Sequence, residues 1–132
     1  MDVLSESRLS TELQELYLQN KEWMSHVLFL EDENRFFQKL FGQKLFVIGK
    51  SHTAKQINLI SESLASLQEK TVNLKKLVIK HQHLLKGILK DTSQLIGLGL
   101  IEEHAAITKE IQELLLADRL MKSKLFLMVE GN

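Results

Sequence analysis

The sequence contains no cysteine, which excludes disulfides, thiolate nucleophiles and cysteine-ligated zinc and leaves the redox compartment open. It contains no proline either. Proline removes a helix hydrogen bond and clashes with the preceding turn, so its absence suits long uninterrupted helices. Nor is there a surplus of charge, because 17 Lys and Arg balance 17 Asp and Glu. Phosphate binding needs a positive excess on some face, so nucleic acid is not expected as a partner. The Lys-rich stretch from Lys70 to Lys90 reads as a solvated helix face. Long apolar runs are also missing. Leu114–Ala117 and Leu125–Val129 are far too short to span a membrane, and Met1–Glu6 lacks the basic-then-apolar order of a secretory signal. A cytoplasmic protein without membrane contact is the resulting expectation.

What is present is apolar enough to fold. At 132 residues and 44% hydrophobic, the chain matches one ordinary domain and is too apolar for disorder. Spacings of four and three align Leu9, Leu13, Leu16, Asn20, Trp23, Val27, Leu30, Asn34, Phe37 and Phe41 on one helix face. Thr11-Glu12-Leu13-Gln14 fits a capping box at its start, and Gly42 and Gly49 bracket its exit. A second box, Thr53-Ala54-Lys55-Gln56, opens a seam of Ile57, Ile60, Leu64, Leu67, Thr71, Leu74, Val78, His81, Leu85 and Ile88. Its seven-residue repeat predicts a left-handed supercoil. A third seam comprises Leu100, His104, Ile107, Ile111, Leu114, Asp118, Met121, Leu125 and Met128, and Gly131-Asn132 makes a natural stop. Residues 91–99, with Gly97 and Gly99, read as a packed turn with room for a short helical piece.

The expected fold is therefore all-α, with three long antiparallel helices in an up-down-up bundle and coiled-coil-like seams. Residues 1–132 form a single domain, with 1–9 as a loose tail.

No constellation for chemistry stands out. Gly97-Leu98-Gly99 lacks the third glycine, the preceding strand and the Lys-Ser/Thr of a phosphate loop. No Glu-x-x-His pair of a di-iron bundle occurs. Folding the chain at residue 97 sets His104 opposite about residue 90, roughly 13 Å from His81, which argues against paired haem ligands. Neither a metal, a cofactor nor a catalytic residue is expected.

The polar seam residues carry more information. Folding at residues 48–49 and 97 brings Asn20, Val78 and Asp118 to one level, with His81 a turn away. A register-specifying polar layer of Asn20, His81 and Asp118 is the expectation, since a buried carboxylate needs a partner or water. Outside the seams, Phe29 and Phe36 lie a heptad apart, and Leu116, Leu120 and Leu127 form a second stripe on the third helix. The second helix instead turns Glu62, Glu69, Lys76 and His83 outward. Exposed apolar patches mark interaction sites, so these five residues form a candidate interface.

Leu16-Tyr17-Leu18-Gln19-Asn20-Lys21-Glu22-Trp23, followed by Phe29, Glu31-Asp32-Glu33 and Phe36-Phe37, resembles small uncharacterised bacterial helical-bundle proteins. The resemblance implies a helical bundle and transfers no activity or site residue. Taken together, the expected function is a non-enzymatic interaction or scaffold protein, forming a homodimer or docking a helical partner. The alternative is a small-ligand or metal-binding sensor using the bundle interior. A third reading, peripheral membrane binding through Phe29 and Phe36, lacks a strong Lys/Arg flank.

Overall fold

The computed structural model describes residues 3–90 and 98–130, with side-chain surroundings over 11–88 and 99–130. It is all-α: α1 covers Val3–Gln43, α2 Leu45–Ser51, α3 Ala54–Lys90 and α4 Leu98–Glu130. No strand occurs among the described residues. Four helices replace the expected three, because the chain does not simply turn after α1. Lys44 departs from helical geometry (φ −102°, ψ 8°), yet its N–H still bonds Leu40 O at 2.9 Å. The short α2 then carries Leu45, Phe46, Val47 and Ile48, and only Ile48 is buried in the main core. One apolar anchor among four is reason enough for a single helical turn or two there, and too little for a longer one.

Two further boundaries differ from expectation. α1 already begins at Val3, so it includes residues 3–9 and passes through Thr11 rather than starting there. Leu98 and Gly99 open α4 rather than belonging to a turn. The start of α3 agrees with its capping box. The N–H of Gln56 donates to Thr53 Oγ1 at 3.2 Å, and the Thr53 N–H donates to Gln56 Oε1 at 2.8 Å. Two orphan donors of the first turn are thus satisfied reciprocally. The expected turn over 91–97 and the stop at 131–132 lie outside the described residues.

Cross-helix pairs define the helix directions. Asn20 meets Val78 while Asn34 meets Thr71, so numbers rise along α1 as they fall along α3. Gln19 meets His104 while Glu33 meets Lys122, so α1 and α4 run the same way. Every described seam position is buried or half-buried. The apolar core forms two clusters. The larger extends from Trp23 to Met128, and the smaller joins Leu13, Leu85, Ile88 and Leu100. Asn20, His81 and His104 lie between them.

Candidate functional site

Two polar layers interrupt the core, and neither has the membership expected from sequence. The first is built on histidines. His81 of α3 and His104 of α4 are both buried, with Nε2 and Nδ1 facing each other at 3.4 Å. This overturns the 13 Å offset and the α3–α4 register it assumed. The pair 81/104 slides α3 and α4 by about nine residues relative to that expectation. Gln19 Oε1 of α1 meets His104 Nε2. Trp23 packs against both rings, with centroids 4.2 Å from His104 and 5.5 Å from His81. Glu103 Oε1, on the half-exposed side, lies 4.0 Å from His81 Nδ1. Burial lowers the pKa of both rings. Glu103 works against that shift at His81, whereas the neighbouring His81 reinforces it at His104.

Asn20 belongs to this end of the rod. Its Nδ2 donates to Val78 O at 3.1 Å, and its Oδ1 has no hydrogen-bond partner. Asp118 does not join it. With the α3–α4 register corrected, Asp118 falls beside Glu33 on α1, 13 residues or about 20 Å of helix away from Asn20. The expected layer of Asn20, His81 and Asp118 therefore splits in two.

The second layer is acidic. Asp118 is 1% exposed, lies against Glu33, and has no hydrogen-bond partner at Oδ1. Burial first, and then the adjacent Glu33 carboxylate, push its pKa up to about 6, with Lys122 opposing. Lys122 pairs with Glu33, which raises its own pKa, and its Nζ lies 5.9 Å from the centre of the Phe29 ring. Nearby, Asn34 Nδ2 donates to Thr71 Oγ1 at 3.0 Å, and Thr71 in turn donates to Leu67 O at 2.8 Å.

His104, Gln19, Glu103, Glu33 and Lys122 were not on the sequence's candidate list. His104 had the signal, since it stands on the third seam as plainly as His81 stands on the second. Only the assumed register hid it. Glu33 had none, lying inside the acidic run Glu31-Asp32-Glu33.

The apolar candidates are exposed. Phe29, Phe36, Leu116 and Leu127 are each about half exposed, and Leu120 is 63% exposed. They do not form one flat patch. Phe36 meets Phe126 of α4 edge-on at 6.2 Å, placing Phe29, Phe36 and Phe126 along the α1–α4 junction. Leu127 follows Phe126 by about 100° of helix rotation, so Leu116, Leu120 and Leu127 crest the back of α4. The outward face of α3 is polar as expected, but its flanks are not. Val72 and Ile79 on one side and Leu77 and Leu84 on the other are also exposed.

Open grooves run between the helices. The groove between α3 and α4 measures about 380 Å³ and is lined by Leu59, Ser66, Lys70, Glu110, Leu114 and Met121 among others. Among the described residues no group of three or more His, Asp or Glu side chains converges in a geometry that could hold a metal ion, and no helix is long and apolar enough to cross a membrane. What the arrangement can do chemically is bind and release protons at two levels. No family model, curated protein or solved structure matches this chain.

Proposed function

We propose that this protein is a non-enzymatic interaction or scaffold protein that associates with a second copy of itself along α1 and α4. The observation that carries this reading is the exposed apolar band of Phe29, Phe36 and Phe126, continued over α4 by Leu116, Leu120 and Leu127. Burying one such side chain is worth roughly 1.5–3 kcal/mol, so a handful per subunit can offset the entropy of association.

The test replaces Phe29 and Phe36 with Glu and follows sedimentation at micromolar concentration. A folded monomer is expected where the unmodified chain dimerises. A monomeric unmodified chain, or a variant with unchanged dimer affinity, refutes the proposal. The alternative is a small-ligand or metal-binding sensor using the bundle interior. Elemental analysis and an absorption spectrum of the purified protein discriminate between the two.

A further inference from the structure

The nitrogens of His81 and His104 define a hydrogen-bond chain with one break in it. Gln19 Oε1 can only accept, so the ring nitrogen it meets, Nε2 of His104, carries a hydrogen. A neutral imidazole carries just one, which makes His104 Nδ1 the acceptor facing His81 Nε2. His81 therefore donates from Nε2 and its Nδ1 is bare. That nitrogen is buried without a hydrogen-bond partner, and the group it faces at 4.0 Å is the Glu103 carboxylate. Two acceptors confront each other across a short gap. The missing element is a proton.

We propose that His81 and His104 form a buried proton-sensing pair: one proton enters at His81 Nδ1 and closes it onto Glu103, and a second drives the rings apart and parts α3 from α4 beside Trp23. The first proton completes the chain, since every N–H from Glu103 through His81 and His104 to Gln19 then points at an acceptor. The Trp23 ring, its centre 5.5 Å from that of His81, lies beside the cation so formed. The second proton has no such place. It would put an N–H on His104 Nδ1, aimed at the N–H of His81 across 3.4 Å, with two cations inside a packed seam.

The surroundings are consistent with a pair that titrates as a unit. From α4, Glu103 is the facing charge. From α1, Gln19 and Trp23 cover the rings, and Glu22 and His26, paired at 3.8 Å, line the adjoining α1–α4 groove. Among the described residues no other charged group weighs on either ring. Burial lowers both, so uptake falls on the acid side of 6.5 and separates into two steps. A metal ion is the other occupant a histidine pair invites. Only two nitrogens face one another here, fewer than the three or four ligands zinc sites use.

Trp23 is the sole tryptophan and touches both rings, so its emission reports on the pair directly. The experiment titrates the full chain from about pH 8 to about pH 4, the range over which histidine changes charge. Trp23 fluorescence and far-UV circular dichroism are recorded on the unmodified protein, His104→Gln and Asp118→Asn. Expected is a loss of emission as the imidazolium forms, then a red shift as the seam opens. His104→Gln should lose the red shift, and Asp118→Asn should keep both phases. Nitrogen-15 ring shifts of the unmodified protein decide the matter even if His104→Gln does not fold. They should show His81 and His104 titrating in two separated steps on the acid side of 6.5. An unchanged two-phase titration in His104→Gln overturns the proposal, as does a single step at an ordinary histidine value. Quenching of Trp23 by zinc ions at neutral pH, with the acid response abolished, also overturns it and makes the pair a metal site.

Discussion

The histidine layer of Gln19, His81 and His104 and the carboxyl layer of Glu33, Asp118 and Lys122 are built into the same rod, about 20 Å apart along α1. Both bury ionisable groups between helices, and both leave a polar atom without a hydrogen-bond partner. Burial nevertheless pushes their proton affinities in opposite directions. A histidine is charged when protonated, so burial lowers its pKa; an aspartate is charged when deprotonated, so burial raises it. The stability consequences oppose each other too. Unfolded His81 and His104 hold protons more tightly than the folded ones, so their contribution is intact above 6.5 and is lost as pH falls below it. Folded Asp118 holds its proton more tightly than the unfolded form. Its contribution is intact below 3.8 and is lost as pH rises through about 6. Between these values the layers pull against each other, which flattens the dependence of stability on pH.

The largest expected effect breaks the comparison at the histidine end. Trp23 is buried against both rings, and nothing of that size covers the carboxyl layer. Trp23→Ala should cost about 3–5 kcal/mol at neutral pH by chemical denaturation. A cost under about 1 kcal/mol would mean the layer collapses freely around the gap.

A middle-sized effect isolates one layer from the other. Asp118→Asn removes a carboxylate that is ionised at neutral pH in a buried seam, and its amide can donate to Glu33. The gain should be on the order of 2 kcal/mol at pH 7.5. The histidine loss on acidification should then stand out as a steeper fall in melting temperature below about 6.5. No gain, with an unchanged acid profile, would show that water or movement already relieves the carboxylate.

The smallest effect is a null that sharpens the separation. Asn20 and Asp118 share no partner, so the stability changes of Asn20→Leu and Asp118→Leu should add to within about 0.5 kcal/mol in the double variant. A larger interaction energy would return them to one layer.

Most of the helix faces were legible from spacing alone. Leu13, Asn20, Val27, Leu30, Phe37, Leu64, Leu74, His81, Ile107, Asp118 and Leu125 are buried where the four-three pattern places them. That works because helix periodicity is a property of each segment by itself. How two faces slide along one another is not. Gly97 and Gly99 suggested where the chain reverses, but Gly99 is helical, and the α3–α4 register instead stands His81 opposite His104. One error of register therefore kept His104 from His81 and put Asp118 beside the wrong residue. The apolar stripes suffered less, because exposure on a single helix needs no partner to be read.

The parallel run of α1 and α4 against a single reversed α3 has an electrostatic consequence. Each peptide unit carries a dipole along its helix, and antiparallel neighbours cancel. Two helices pointing one way and one the other leave about one helix dipole uncancelled. The side-chain charges of this chain sum to zero, but its backbone does not balance end to end. The end from which α1 and α4 start is the positive pole of the rod, and a second rod lying alongside lowers its energy by pointing the opposite way.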